Sequence, residues 1–331
     1  MPNPYISGTG FYLPPRVVTN DELSTYMDTT DEWIQERTGI RERRYVEPGV
    51  GPSDLAIPAT EQALEMAGIE VQDIDFMIFA TSTPDFYAPG SGCLLQDKMG
   101  FNEIGALDIR VQCSGFLYGL SIAEQYIKTG VFKNILLIGA EVQSTAMDMT
   151  DEGRDTAVIF GDGAGAAIIS ATDEDRGILS THMHSEGKYL KELWLESPAS
   201  NAGHPRISSE NMDDGKQYLK MNGREVFRHA VTRFPEVINE CLKKNNLTTS
   251  DISLLIPHQA NLRITQMVQK KMGLKDDQIY SNIHKYGNTT AGTIPIALAE
   301  VVNKGKISRD DIVIFSSFGS GFTWASAAIK W

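Results

Sequence analysis

The sequence predicts an α/β protein made of two copies of one unit, and three observations carry that prediction. Apolar strand-like runs alternate with helical stretches along the 331 residues. Pairs of these runs recur at nearly constant spacing, which is the mark of an internal repeat. No linker rich in Pro, Gly or Ser separates the copies, so they are expected to pack together.

Taken in order, DIDFMIFATS from Asp73 resembles DISLLIPHQA from Asp251, and NILLIGAEV around Ile135 resembles DIVIFSSFG around Ile312. Between these runs each copy carries another strand, a turn and a helix. The first reads IGALDIRVQ then CSGFLYGLSIAEQYIKTG; the second reads QIYSNIHKYGN then TTAGTIPIALAEVVNKG. Cys113 and Asn288 fall at matching places. The halves are set at residues 1–172 and 173–331. From Gly187 to Asn222 the pattern breaks into a mixture of Pro, Ser, Asn and Trp, read as an excursion that caps a site or forms an interface loop.

Bulk composition excludes several classes. A formal net charge of −13 lacks the basic footprint of a general nucleic-acid binder. Three cysteines, Cys93, Cys113 and Cys241, without a CxxC pair, suggest neither a disulfide framework nor a structural zinc site. Neither a signal peptide nor an apolar run of about 18 residues is seen, so no membrane span and a cytoplasmic location are expected.

Cys113 follows the strand ALDIRVQ and precedes an amphipathic helix, so it sits at a strand-to-helix turn. Unpaired amides and the helix dipole at such a place are expected to lower its pKa and suit a nucleophile, the alternative from position alone being a small buried cysteine. Cys93 and Cys241 lie on helices and are expected in the core. His258 also stands where a strand gives way to a helix, where a neutral imidazole can donate to a developing oxyanion. His182, His184, His204, His229 and His284 have no comparable context. Asn288 follows Gly287, which permits a sharp turn; Thr289 or Thr290 can cap the next helix, and the Asn288 amide can face a site. FGDGAGAAIIS from Phe160 lacks the Lys-Ser/Thr of a phosphate loop and leads into a strand, so nucleotide binding there is rejected. FGSGFTWASAAI from Phe318 makes a glycine turn whose backbone N–H groups can face an oxyanion.

Assembled, these segments resemble the β-ketoacyl-acyl carrier protein synthase III family of the thiolase superfamily from end to end. The resemblance lies in DEWIQERTGIRER (Asp31 to Arg43), QCSGFLYGL around Cys113, RDTAVIFGDGAGAA (Arg154 to Ala167), PHQANLRI around His258, YGNTTAGTIP around Asn288, and FGSGFTW. It implies a five-layer αβαβα fold, a homodimer and a Cys113–His258–Asn288 catalytic set. The implied reaction joins an acyl-CoA to malonyl-acyl carrier protein with loss of carbon dioxide, initiating fatty acid biosynthesis. Coenzyme A enters as part of a substrate, with no cofactor or metal. The amides of Cys113 and Ser320 would form the oxyanion hole. Trp33 and Arg37 would clamp the adenine of coenzyme A, and Arg154 would help hold its nucleotide. Gly223, Phe227, Ala260 and Asn261 would line the pantetheine channel, and Arg228 and Arg263 would attract the acidic carrier protein.

Three departures from the family pattern stand out. Ser320 replaces the middle of three glycines, which would be awkward at a positive φ. The excursion is longer than in the simplest members. Ala88 stands where many members carry a bulky aromatic that limits the partner subunit's acyl pocket, which would admit longer or branched acyl groups unless Phe86 or Tyr87 refills the space. The competing readings are a related synthase of specialised metabolites and a non-catalytic partner subunit; the presence of all three site residues weighs against the second.

Overall fold

A computed structural model describes residues 1–201 and 205–331, so His204 lies outside the described residues. Among the described residues nine strands form two main sheets. They are β1 (Asn3–Tyr12), β2 (Phe76–Ala80), β3 (Gly105–Ile109), β4 (Asn134–Glu141), β5 (Gly163–Thr172), β6 (Gly177–Ser185), β7 (Leu254–Pro257), β8 (Ile312–Gly319) and β9 (Thr323–Lys330). The first sheet has the order β1-β5-β4-β2-β3 and the second β6-β9-β8-β7. In each, one end of the sheet is parallel (β3-β2-β4 in the first, β7-β8 in the second) and the remaining pairs are antiparallel. Where the second sheet would carry a counterpart of β3, a single parallel bridge joins Leu255 to Ile279.

Seven helices matter for the site: α1 (Asp31–Thr38), α2 (Pro52–Ala67), α3 (Ser91–Met99), α4 (Gly115–Lys128), α5 (Gly223–Lys244), α6 (Leu262–Met272) and α7 (Thr293–Asn303). Successive strand residues point to opposite faces, and the chain exploits this on both sheets. Ile135 and Leu137 of β4 join Val313 and Phe315 of β8 in one core, with α4 and α7 between the sheets. Leu136 and Ile138 face outward to α2 and α3. Ile314 faces outward on the other side, to α5 and α6. The result is five layers, helix–sheet–helix–sheet–helix, as the resemblance implies.

The glycines of the GDGAGAA run serve this packing. A Cβ on Gly165 would come within 2.7 Å of the α7 backbone at Pro295 and Ile296, so the run lets α7 lie directly on β5. Among its described residues the excursion forms a 3-10 turn at Gly187–Glu192, a ribbon of Leu193–Trp194 with Lys220–Met221, and a short helix, Ser209–Asp213. Cys241 is fully buried on α5, whereas Cys93 is exposed, which corrects its placement in the core. Its helix turns Ser91, Gly92 and Leu95 inward and leaves Cys93 on the open face. No described helix is long and apolar enough to cross a membrane.

Candidate active site

One cavity of about 610 Å³ is lined by residues from Trp33 to Phe160 and from Leu193 to Gly319, with Cys113, His258 and Asn288 among them. Cys113 stands where β3 gives way to α4. One 3-10 turn, Gln112–Ser114, joins them, and Gln112 is held at φ 45°, a region costly for a side-chain-bearing residue. The backbone N–H groups of Ser320 and of Cys113 itself lie near the sulfur and favour its charged form. A Cβ on Gly319 would lie 2.5 Å from Cys113 Cβ and 2.9 Å from Sγ, so only glycine lets the β8–β9 hairpin press against the nucleophile.

Burial, with the Glu141 carboxyl adding to it, pushes the Cys113 thiol up to about 12. This corrects the expectation of a lowered pKa. Removing the charged form from water outweighs the two amides and the helix end, so the resting group is the thiol. Ser320 raises no steric problem. The positive φ of the turn, 134°, falls on Gly321, and the Ser320 hydroxyl donates to the Leu193 carbonyl.

His258 follows β7, and its N–H donates to the Ser316 carbonyl at 2.8 Å. The ring is 2% exposed, and burial lowers its pKa from 6.5 to about 3, so it is neutral at working pH. Its Nδ1 lies 2.6 Å from Thr293 Oγ1, while its buried Nε2 has no partner among the described residues. Asn288 is held by its own N–H to the Ile159 carbonyl at 2.9 Å. Its Oδ1 accepts from the Thr290 N–H at 2.8 Å, which identifies the oxygen and leaves Nδ2 to donate elsewhere. Neither Thr289 nor Thr290 caps α7 with its hydroxyl, contrary to expectation; the Thr290 hydroxyl instead accepts from Gln143 Nε2 at 2.9 Å.

The cavity is also lined by Trp33, Arg37, Gly223, Phe227, Ala260, Asn261 and Arg263, all named by the family resemblance. Local structure explains their placement. Thr30 caps α1 through the Trp33 N–H, and the i, i+4 spacing puts Arg37 on the Trp33 face, 4.2 Å from the ring centroid. Asn261 caps α6 by accepting from the Arg263 N–H, and its Nδ2 donates to the Arg37 carbonyl, tying α6 to α1.

Other anticipated residues stand elsewhere. Arg154 is outside the lining; its guanidinium sits 4.7 Å from the Trp33 ring centroid and bonds the Asp28 carbonyl, so it acts on Trp33 rather than on the cavity. Arg228 is also outside the lining, and its guanidinium is held by Glu225 one turn away. Ala88 lies on an exposed loop with Phe86 and Tyr87, away from this chain's cavity, so any role in an acyl pocket requires a second copy. Sequence reasoning missed Arg224, an exposed cation at the mouth, although it directly follows Gly223 at the start of α5. It also missed Gly319, Leu193 and Met221; the last two make the ribbon of the excursion a wall of the cavity.

Two family models match, both described as 3-oxoacyl-[acyl-carrier-protein] synthase III, one over residues 107–187 and the C-terminal one over 242–331. A beta-ketoacyl-[acyl-carrier-protein] synthase III from Caldanaerobacter subterraneus subsp. tengcongensis is 44% identical over 326 residues, covering 98% of this chain and 97% of its own. The crystal structure of 3-oxoacyl-[acyl-carrier-protein] synthase III from Aquifex aeolicus VF5 superposes with a TM-score of 0.90 at 40% identity, over 99% of this chain and all of that one (100%). The priming beta-ketosynthase from the R1128 polyketide biosynthetic pathway has a TM-score of 0.90 at 30% identity, over 98% of this chain and 95% of that one. With this likeness running the length of the chain, and with the cavity residues standing at the motifs that suggested it, the chain belongs to the β-ketoacyl-acyl carrier protein synthase III family.

Proposed function

We propose that the chain condenses an acyl-CoA primer with malonyl-acyl carrier protein, releasing carbon dioxide and giving the β-ketoacyl-acyl carrier protein that starts fatty acid biosynthesis. The observation that carries this reading is the gathering of Cys113, His258 and Asn288 in one cavity with Trp33, Arg37, Arg224 and Arg263 toward its mouth. Residues 1–172 would supply the nucleophile and 173–331 the His and Asn.

In the first half-reaction the Cys113 sulfur adds to the acyl thioester carbon. The C–S bond to coenzyme A breaks, and the thiol proton ends on the departing sulfur. The acyl group is left on Cys113, as in other ping-pong transfers. The tetrahedral oxyanion is held by the N–H groups of Cys113 and Ser320, both of which favour negative charge at this place. In the second half-reaction the malonyl carbon–carboxylate bond breaks. Carbon dioxide leaves, and the electron pair becomes an enolate whose charge rests on the thioester oxygen. Asn288 Nδ2–H and a neutral His258 Nε2–H donate to that oxygen. The partnerless, buried Nε2 supports this role, because an atom so placed is costly until something fills its hydrogen bond. The enolate carbon attacks the acyl carbon, the Cys113 thiolate is expelled, and it recovers a proton before the next cycle.

The exposed cations Arg224, Arg228 and Arg263 suit an acidic carrier protein against an otherwise acidic chain. Exposed Phe86 and Tyr87 beside Ala88 support a homodimer in which this loop meets the partner's cavity, with acyl groups longer than acetyl or branched ones admitted. A cytoplasmic location fits these substrates. The likeness to a priming ketosynthase of a polyketide pathway favours, as a second reading, a synthase that primes a specialised-metabolite pathway.

Intact-protein mass spectrometry with a panel of acyl-CoAs tests the reading. The expected result is an added acyl mass on the wild type and none on Cys113→Ala, followed by loss of the adduct when malonyl-acyl carrier protein is supplied. Acylation confined to acetyl would overturn the acyl range inferred from Ala88, and absence of any adduct from both coenzyme A and carrier-protein donors would overturn the activity.

A further inference from the structure

The buried side of His258 holds a feature that the reaction above does not use. Nδ1 faces a single side-chain partner, Thr293 Oγ1 at 2.6 Å, at the first residue of α7. That hydroxyl has one hydrogen and two neighbours able to accept it: Nδ1 and the Thr290 carbonyl at 3.0 Å. If the hydrogen goes to Thr290, the imidazole must carry its proton on Nδ1, and Nε2 meets the cavity as a bare lone pair. If it goes to Nδ1, the imidazole carries its proton on Nε2 and meets the cavity as a donor.

Two details favour the second arrangement. The Thr290 carbonyl already accepts the Thr293 backbone N–H, so it does not need the hydroxyl. The 2.6 Å separation suits an O–H donor, whose bonds run shorter than the ~2.9–3.0 Å typical of N–H donors. The carbonyl that competes for the hydroxyl is itself rigidly placed. Thr290 is held at φ 49° with its N–H on Asn288 Oδ1, and its own hydroxyl accepts from Gln143, which also donates to Ser82 Oγ at 3.0 Å. One short segment, residues 288–293, therefore orients both groups that face the substrate.

We infer that Thr293 is a positioning residue that donates its hydroxyl hydrogen to His258 Nδ1 and so keeps the Nε2–H directed into the cavity for the malonyl half-reaction. This rests on the proposed role of His258. Loss of the hydroxyl leaves the ring free to take the other tautomer, which offers the enolate no donor, while Cys113 and its two amides are untouched.

The test compares wild type, His258→Ala, Thr293→Val and Thr293→Ser in the separated half-reactions. Thr293→Val is expected to acylate Cys113 from acyl-CoA at the wild-type rate, which also shows that it folds. Its release of carbon dioxide from a malonyl thioester should fall about 10- to 100-fold, by analogy with the loss of the outer hydrogen bond of a metal-bound histidine. Thr293→Ser should recover most of that loss. In wild type labelled with ¹⁵N-histidine, the resonance absent from His258→Ala should carry the signature of an Nε2–H tautomer, and in Thr293→Val that signature should be lost or mixed. Wild-type decarboxylation by Thr293→Val, or an Nδ1–H tautomer in the wild type, would overturn the inference while His258→Ala remained inactive. Full decarboxylation by His258→Ala would instead overturn the role of His258 itself.

Discussion

The two sides of the cavity hold their reactive groups by opposite means. Cys113 is held by backbone: a strained Gln112 before it and a glycine hairpin against its Cβ, with the N–H groups of Cys113 and Ser320 favouring charge on its sulfur. His258 and Asn288 are oriented by bonds to their side chains, one to the Thr293 hydroxyl and one to the Thr290 N–H. The difference follows from what each group must do. A sulfur that forms and breaks a covalent bond needs a fixed place and nearby N–H groups, and backbone supplies both at little entropic cost. A ring or amide that only donates must be turned to present the right atom, which a hydrogen bond on its far side achieves. Each side is therefore expected to fail in its own half-reaction.

The largest effect is expected at Asn288. Asn288→Asp keeps the size but replaces the donor with a carboxylate, so decarboxylation should fall by ~10²–10³ while acylation of Cys113 proceeds; the two rates, measured separately, check this. Equal loss in both half-reactions would remove the distinction between the two sides. Next comes Gly319→Ala, whose added methyl would have to displace the Cys113 side chain. The acylation rate should fall ~100-fold, because a shift of about 1 Å in a reacting atom is enough for that, and rapid-quench mass measurement with acyl-CoA reads it directly.

The smallest effect concerns Glu141, which bridges the two sides. It is fully buried at the end of β4 and accepts from Ser82 and Thr83, with Gln143 Nε2 3.4 Å away; Gln143 in turn donates to Thr290. Burial pushes its carboxyl from 4.5 up to about 7. Between those values the folded chain keeps a proton that the unfolded chain has lost, so this group makes stability fall as pH rises. His258, lowered from 6.5 to about 3, has the opposite sign: between those values the unfolded chain binds a proton that the fold excludes, so stability rises with pH. The two contributions oppose each other from pH 4.5 to 6.5. Glu141→Gln removes one of them, and its stability should rise across that window more steeply than the wild type's, by up to ~1.4 kcal/mol per pH unit. Urea midpoints at pH 4.5, 5.5 and 6.5 measure the slopes, and parallel slopes would show that Glu141 does not hold the extra proton.

The sequence by itself determined the strands, their repetition, and the positions of Cys113, His258 and Asn288 at chain junctions, because apolar period and turn chemistry are local properties that survive without a fold. The family resemblance singled out Trp33 and Arg37, and the fold sets them side by side because i, i+4 neighbours on a capped helix share a face. Tertiary structure alone decided the rest. Cys93 is exposed because packing chose the other face of its helix, and a nine-residue helix does not announce which face will be covered. Cys113 is a resting thiol because the desolvation at that corner depends on what closes over it, including Gly319 from the far end of the chain. Arg154 stands against Trp33 rather than in the cavity, and Arg224 reaches the mouth instead of Arg228, because a long side chain goes where distant partners leave room for it. Thr293 became visible as a positioning residue only when the fold brought it within 2.6 Å of a histidine 35 residues earlier. Burial, electrostatic environment and the far partner of a hydrogen bond are sums over residues remote in sequence, and the folded chain is the first place where those sums are taken.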